Sequence, residues 1–201
     1  MALFTRLLVG GVAVLAVNAA HAQDWKLVKD EAGIKVYLSD VQGSEYKAYR
    51  GVTTVKADMP TLLKLQDDSV GSCAWIYECK MQKMLKHEGN KAWIYAQFNT
   101  PWPVTPRDSV MQVTTEQGAD GGAKRLMQGV PDYLPEEKGF VRVSQLDGSW
   151  VFTPKAAGEV EVVYEVHTEP GGSVPSWLAN KFVVDAPFNT LKSYRELAEK
   201  K

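Results

Sequence analysis

The chain has 201 residues, 45% of them hydrophobic, with 23 Lys and Arg against 24 Asp and Glu and a formal net charge of −1. This near balance gives no reason to expect a nucleic-acid partner, because nucleic-acid-binding domains usually carry a clearly basic surface. The length is enough for one domain with a sizeable core and too short for two comfortable ones.

The first 22 residues have the pattern of a cleavable signal peptide. Arg6 precedes an apolar run over residues 7–17, and Ala20-His21-Ala22 has the small-x-small form of a cleavage site. The apolar run is too short to span a bilayer comfortably. We therefore expect cleavage after Ala22, a periplasmic or secreted protein, and one domain over residues 23–201.

The next segments alternate between polar and apolar residues as strands do. Strands are predicted at 34–38 and 46–55, with a turn at 42–44 between them. A helix follows, with Asp58 as its N-cap and Pro60 in its first turn, where the missing amide hydrogen does no harm.

Cys73 and Cys79 are the two cysteines of the sequence. We expect them to form a disulfide, because a signal peptide implies an oxidising destination. Six residues of extended strand would span about 20 Å, so the chain must fold back between the two cysteines if they pair. The next strand is therefore expected to start after Cys79.

More strands follow this loop, separated by Gly, Pro and Asp clusters. They are predicted at 80–87, 91–98, 109–116, 124–130, 140–152 and 160–168. In the last of these, the apolar face that includes Tyr164 is expected to lie toward the C-terminal helix. In the strand at 91–98 we place the face with Ile94 and Ala96 inward, since small side chains leave room for a ligand. The alternative is that Trp93 and Tyr95 fill the interior and leave no cavity.

A long amphipathic helix ends the chain. Apolar residues recur at helical spacing from Trp177 to Ala198 and include Phe188 and Leu191, with Phe182 on the same side. Pro187 should either kink this helix or start a second short one. A sheet that packs on one such helix tends to enclose a cavity, so the order of elements points to a binding function.

Three segments together resemble the START (lipid-transfer-related) domains of the helix-grip superfamily, in a secreted bacterial form. The first is Trp25-x7-Gly33-Ile34-x-Val36-Tyr37. The second is Pro101-Trp102-Pro103-Val104-x-Pro106-Arg107-Asp108. The third is Gly171-Gly172-Ser173-Val174-Pro175-x-Trp177-Leu178-x-Asn180. Each segment alone is a weak signal, but their order and the strands between them are fairly specific.

The resemblance implies an α+β helix-grip fold, in which a curved antiparallel β-sheet wraps around a long C-terminal α-helix. It also implies an internal hydrophobic tunnel for one lipid, sterol or other largely apolar small molecule, with no metal or organic cofactor. Ligands of such domains enter through loops near one end of the helix. Here the candidate gate is the segment 100–106, with Trp102 at its tip.

The candidate ligand contacts come from strand parity, from the helix and from the gate. They are Ile94, Ala96, Trp102, Arg107, Met111, Val113, Gln128, Arg142, Tyr164, Trp177, Phe182, Phe188 and Leu191.

Two arginines are weighed as polar anchors for the ligand. Arg107 and Asp108 are neighbours in a strand and must point to opposite faces. We favour a structural role for this pair, which would fix the proline-rich loop through backbone hydrogen bonds, over a contact between Arg107 and a ligand phosphate or carboxylate. Arg142 can serve as an anchor only if Val141 and Val143 face away from the cavity.

The favoured function is binding of a lipid or other apolar molecule by a monomer. Transport of that molecule, with transient membrane contact, is a further role that is compatible with it. The alternative is a cyclase/aromatase-like enzyme that acts on a hydrophobic substrate in the same cavity, which would need ionisable groups on the inward face. A third hypothesis is a ligand-free interaction module that uses exposed aromatic residues such as Trp93 and Tyr95.

Overall fold

Ten strands form one curved sheet that covers a long C-terminal helix. The computed structural model describes residues 23–200, apart from the side chains of residues 157, 176 and 177. The strands are β1 (Lys26–Glu31), β2 (Ile34–Ser39), β3 (Ala48–Val55), β4 (Cys79–Glu88), β5 (Lys91–Phe98), β6 (Arg107–Gln117), β7 (Ala123–Gly129), β8 (Val141–Arg142), β9 (Gln145–Pro154) and β10 (Val160–Glu169). The helices are α1 (Met59–Asp67) and α2 (Ser176–Ala198). This architecture confirms the predicted α+β helix-grip fold.

The sheet has the strand order β1-β2-β3-β10-β9-β7-β6-β5-β4, with antiparallel pairs throughout this path. The short strand β8 pairs in parallel with the start of β6. The predicted hairpin at 34–55 is present as β2 and β3. The pairing of β3 with β10 brings a late strand beside an early one, as is needed to wrap the sheet around α2.

One strand prediction was wrong, and one strand was not predicted at all. The segment 140–152 is two strands, because β8 pairs with β6 while β9 pairs with β7 and β10. Strand β1 was missed because it is an edge strand that is largely exposed on both faces, so its sequence has no apolar alternation. It fills the space before β2 and extends the sheet by one strand.

Helix α1 begins as its sequence predicts. The Asp58 carboxylate accepts a hydrogen bond from the backbone N–H of Thr61 at 2.9 Å, and Pro60 lies in the first turn. Helix α2 continues through Pro187 as a single element, so the alternative of a second short helix was wrong. No helix in the range 23–200 is both long enough and apolar enough to cross a membrane.

The predicted disulfide is present between Cys73 and Cys79, whose Cα atoms lie 4.9 Å apart. The chain folds back through a short 3-10 turn at Gly71–Ala74 and through Glu78, which has a left-handed backbone conformation with φ of 56°. Strand β4 begins at Cys79 itself rather than after it.

The C-terminal half of α2 packs directly on the sheet. Leu191 and Tyr194 are fully buried, and the Tyr194 hydroxyl donates a hydrogen bond to the backbone carbonyl of Leu62 at 2.7 Å. Gly51 on β3 allows this approach, because a Cβ at this position would lie 2.5 Å from Leu191 Cδ1. This contact anchors the helix and leaves its N-terminal half free to line an interior space.

Candidate functional site

A cavity of about 230 Å³ lies between the sheet and the N-terminal half of α2. It separates two groups of core residues. One surrounds the C-terminal half of α2, and the other consists of Ala92, Ile94, Ala96, Met111 and Val113 on β5 and β6. The volume is just below the roughly 300–1,000 Å³ of typical small-molecule pockets. The sheet and the helix therefore do not pack fully against one another here.

The wall of the cavity is mostly apolar. From the sheet it includes Ile94, Met111, Val113, Met127, Val143, Leu146 and Val166. From α2 it includes Leu178, Ala179, Phe182, Val183, Ala186 and Thr190, which recur at helical spacing. Such a surface favours a ligand that buries hydrocarbon rather than one that is held by many hydrogen bonds.

Two tyrosines place hydroxyl groups in this wall. The Tyr49 hydroxyl donates to the Tyr164 hydroxyl at 3.0 Å, and the Tyr164 ring stacks on Trp150 with 4.1 Å between ring centroids. Burial raises the pKa of both phenols. Both groups therefore remain neutral near pH 7 and can offer hydrogen bonds without charge.

One end of the cavity is bounded by the loop over residues 99–106 and by the start of α2. Thr100, Pro101 and Val104 line it from the loop, and Leu178 and Phe182 line it from the helix. The predicted gate segment thus borders the cavity. Its tip, Trp102, points outward and is 90% exposed, so this side chain does not lie in the cavity wall.

Arg107 holds this end of the molecule together. Its guanidinium donates hydrogen bonds to the backbone carbonyls of Thr105, Pro170 and Gly171. Gly171 has a φ of +68°, and a Cβ there would lie 2.6 Å from a backbone oxygen of Arg142, so only glycine fits. Burial lowers the pKa of Arg107. Its contacts tie the gate loop to the segment that leads into α2, which is the structural role favoured for the Arg107–Asp108 pair. Asp108 does not share this role, because its carboxylate bonds to the side chains of Tyr95 and Arg142.

The opposite end of the cavity lies beside α1 and carries polar groups. Gln66, Trp75 and Arg125 line it, and the Gln66 Nε2, Trp75 Nε1 and Arg125 Nη1 atoms are buried without a hydrogen-bond partner among the described residues. A buried polar group without a partner costs about 1–3 kcal/mol. A fourth such atom, Ser109 Oγ, lies on the β6 wall.

Comparison with known proteins agrees with this architecture. A family model for the START domain matches residues 13–199. The chain belongs to the START domain family. The resemblance seen in the three sequence segments is thereby confirmed over nearly the whole length.

Relatives of this START domain occur in bacteria and in mammals. An uncharacterized protein of Pseudomonas aeruginosa is 58% identical over 197 residues, which cover 98% of each chain. The solved fragment of a STAR-related lipid transfer protein from Xanthomonas axonopodis is 39% identical, with a TM-score of 0.82, and the match covers 88% of this chain and 99% of that one. Human phosphatidylcholine transfer protein is 26% identical over 187 residues, which cover 90% of this chain and 86% of that protein.

Several of the candidate ligand contacts do line the cavity of this START domain. They are Ile94, Arg107, Met111, Val113, Tyr164 and Phe182. Ala96 is fully buried on the same strand face as Ile94 and packs in the neighbouring core. Trp177 lies in the first turn of α2, and its side chain is outside the described part of the structure. Contact of any of these residues with a ligand stays a prediction.

Arg142 does not reach the cavity, so its assignment as a ligand anchor was wrong. Val143 faces the cavity and therefore turns Arg142 to the other side of the sheet. There the buried Arg142 guanidinium pairs with both carboxylate oxygens of Asp108, at 2.9 and 3.0 Å. It also donates to the carbonyls of Pro131, Leu134 and Pro135. Its role is to hold the loop between β7 and β8 on the sheet.

Three more cavity assignments were wrong. Gln128 is exposed on the outer face of β7, because Arg125 and Met127 take the inner one. Phe188 and Leu191 are buried in the core against the sheet rather than exposed to the cavity. The apolar face of α2 that was predicted from the sequence is not the face that lines the cavity. The two could not be told apart, since apolar residues occur on both faces of the helix.

The polar end of the cavity was not predicted from the sequence. Arg125 stands in a strand whose apolar residues fall on both faces, so parity gave no signal that its side chain points inward. Trp75 lies inside the disulfide loop, where no periodic pattern exists. The helix face was detectable, because Ala179, Val183, Ala186 and Thr190 recur at intervals of three or four residues.

Proposed function

We propose that this START domain binds one lipid or lipid-like molecule in the cavity between the sheet and α2 and carries it as a monomer. The single observation that carries the proposal is a largely apolar cavity enclosed by a sheet and a helix that pack closely elsewhere. Each buried methylene contributes about 0.8 kcal/mol, so an acyl chain can bind without many hydrogen bonds. The names of two relatives, both lipid transfer proteins, support the same function.

The residues around the cavity favour binding over catalysis. Among the described residues, its wall contains no Asp, Glu or His, the side chains that most often act as general acids or bases. The Tyr49 and Tyr164 hydroxyls bond to each other, and burial raises the pKa of both, so they remain neutral near pH 7. The cations in the wall are already engaged, Lys47 with Asp40, Arg125 with Asp67 and Arg107 with backbone carbonyls. We therefore place the binding hypothesis ahead of a cyclase-like reaction.

Loading is expected to involve the gate loop. A lipid with long chains needs more room than about 230 Å³, so the loop and the start of α2 should move outward as the ligand enters. The exposed Trp102 ring at the loop tip would contact a membrane at that moment, because indole rings favour the interface between water and lipid. Membrane contact is thus transient and occurs at the gate.

The site of action is proposed to be the periplasm or the exterior of the cell. The signal-peptide pattern lies in residues 1–22, outside the described part of the chain. The disulfide between Cys73 and Cys79 supports this location, since such bonds persist in oxidising compartments.

Native mass spectrometry of the mature protein, purified gently from its own periplasm, tests the binding proposal. We expect a monomer with one bound lipid, which organic extraction then identifies. The variant Ala179→Phe should be recovered empty, because its ring would fill the cavity next to Phe182. Asn180→Phe is the matched control, since Asn180 is exposed on the other side of α2. An empty wild-type protein that also fails to take up lipids in vitro would refute the proposal.

Transfer kinetics test the membrane contact. The variant Trp102→Ala should slow lipid transfer between vesicles severalfold while the affinity for the lipid in solution is unchanged. Tyr133→Ala is the control, because Tyr133 is an exposed aromatic residue outside the gate loop. Equal transfer rates for Trp102→Ala and wild type would exclude this role of Trp102.

A further inference from the structure

The polar end of the cavity offers hydrogen-bond donors and leaves them unused. Trp75 and Arg125 are 4% and 8% exposed, and Trp75 Nε1 and Arg125 Nη1 have no partner within residues 23–200. The Gln66 Nε2 atom lies near the Tyr194 hydroxyl but meets no hydrogen-bond geometry in this range, and that hydroxyl donates its own proton to Leu62. All three residues line the cavity. Buried groups of this kind are nearly always satisfied in folded proteins, so an unsatisfied set at a cavity points to a ligand.

The three donors belong to residues that lie close together around Tyr194. The Trp75 ring packs edge-on against both Trp150 and Tyr194, with centroids 5.7 and 4.9 Å apart. Arg125 is the direct cross-strand partner of Trp150. Burial raises the pKa of the Tyr194 hydroxyl, and the nearby Gln66 amide and Arg125 charge oppose that rise. Gln66 and Arg125 thus border the same aromatic residue that Trp75 contacts.

The remaining groups of Arg125 are already occupied. Its Nη2 atom pairs with Asp67, which follows Gln66 in α1, and its Nε atom donates to Thr115 Oγ1 at 3.1 Å. These two contacts fix the guanidinium plane, and Nη1 is left as the nitrogen without a partner within residues 23–200. Arg107, at the gate end, differs in that its Nε, Nη1 and Nη2 atoms all donate to backbone carbonyls.

We propose that Gln66, Trp75 and Arg125 form a subsite for a ligand head group whose polar atoms are oxygen acceptors, such as a carboxylate or a phosphate. The inference rests on the lipid-binding function proposed above and adds the orientation and the head-group chemistry. The head lies beside α1, and the hydrocarbon runs along the apolar wall toward the gate loop. Three N–H groups can donate hydrogen bonds to an anionic head, whereas an ammonium head, which is itself a donor, would find no acceptor among them.

Pairs of lipids that differ in head-group charge test whether the subsite prefers an anion. The delipidated wild-type protein is titrated with palmitate and palmitylamine, and with dioleoyl phosphatidic acid and a dioleoyl trimethylammonium lipid, by displacement of dansyl-undecanoate. We expect the anion of at least one pair to bind about tenfold or more tightly than its cationic partner. The pair that shows the preference tells whether the acceptor belongs to a fatty acid or to a phospholipid.

Two variants test whether the preference for anions depends on the proposed subsite. Trp75→Phe keeps an aromatic ring and removes the N–H, and should weaken anion binding roughly two- to tenfold. Gln66→Glu replaces a donor by a negative charge and should weaken it further, while cation binding improves. Trp93→Phe and Gln128→Glu make the same changes on the outer face of the sheet and should have no effect. Melting temperatures confirm that each variant is folded.

Three results would overturn the inference. If cationic lipids bind as tightly as anionic ones, the subsite has no preference for an anionic head group, although the proposed lipid binding is retained. An anion preference unchanged by Trp75→Phe and Gln66→Glu would place the anion elsewhere in the cavity. If no lipid binds and the protein isolated from its periplasm is also empty, the proposed function fails together with this subsite.

Discussion

The two halves of α2 face the same sheet but have different roles. From Phe188 to Ala198 the helix packs on β2, β3 and α1 through buried side chains such as Phe188, Leu191 and Tyr194, and Thr190 marks the limit of the cavity wall. From Leu178 to Ala186 the sheet curves away, and the helix borders the cavity instead. One continuous helix thus anchors the fold with one half and forms a binding wall with the other. This difference predicts that stability and ligand binding respond to different substitutions along it.

The largest difference in stability is expected between the variants Phe188→Ala and Phe182→Ala. Phe188 is buried in the core, so its loss should reduce the free energy of unfolding by about 3–5 kcal/mol. Phe182 lines the cavity, so its loss should cost about 1 kcal/mol or less. Urea denaturation measures both values. Lipid affinity should show the reverse order, and equal stability losses would contradict the division of the helix.

Gly51→Ala tests the close contact of the anchored half. The new methyl group would clash with Leu191, so overpacking should reduce the free energy of unfolding by about 1–3 kcal/mol. Gly139→Ala is unsuitable as a control because Gly139 has a positive φ. Thr54→Ala, on the exposed face of the same strand β3, serves instead. A stable Gly51→Ala variant would mean that the helix shifts easily on the sheet.

Removal of the disulfide tests the cavity wall beside α1. The double variant Cys73→Ser, Cys79→Ser opens the loop that carries Trp75, Ile76 and Tyr77, all of which line the cavity. The chain-entropy model predicts a loss of about 2 kcal/mol in unfolding free energy. We also expect faster release of the bound lipid in a stopped-flow assay. Unchanged release kinetics would show that the loop holds its place through packing alone.

Thr190→Val should have the smallest effect of the series. The Thr190 hydroxyl accepts a hydrogen bond from the backbone N–H of Tyr77 at 3.1 Å and so joins α2 to the disulfide loop. Valine preserves the shape of the side chain, and the loss should be about 0.5–1.5 kcal/mol. Thermal melts resolve a change of that size. Ser193→Ala, which has no such hydrogen bond in the described structure, is the control on the same helix.

Much of the fold could be predicted because its signals are local. The Asp58 cap, the hairpin of β2 and β3, and the strand at 91–98 appear where the residue pattern placed them. Strand β1 could not be predicted in this way, since an exposed edge strand buries neither face. The division of 140–152 was also hidden, because it depends on which distant strand each part pairs with.

The candidate site could be predicted only where one face of an element is clearly apolar. Met111 and Val113 lie in the cavity wall, and in this part of β6 they alternate with the polar residues Gln112 and Thr114. Gln128 and Arg142 failed because β7 and β8 carry large side chains on both faces. The cavity-lining face of α2 was predicted incorrectly for a similar reason. Both apolar faces of the helix are covered, one by the core and one by the cavity.

The sequence by itself determined the kinds and order of the elements, the cysteine pair and the family. Alternation, capping residues and short motifs act over a few neighbouring positions, so they can be read without knowledge of the rest of the molecule. The tertiary structure alone decided which face of α2 borders the cavity, that Arg125 points inward while Arg142 points outward, and that Gln66, Trp75 and Arg125 meet around Tyr194. These outcomes depend on cross-strand register and on packing between segments far apart in the chain, and neither is recorded in a local pattern.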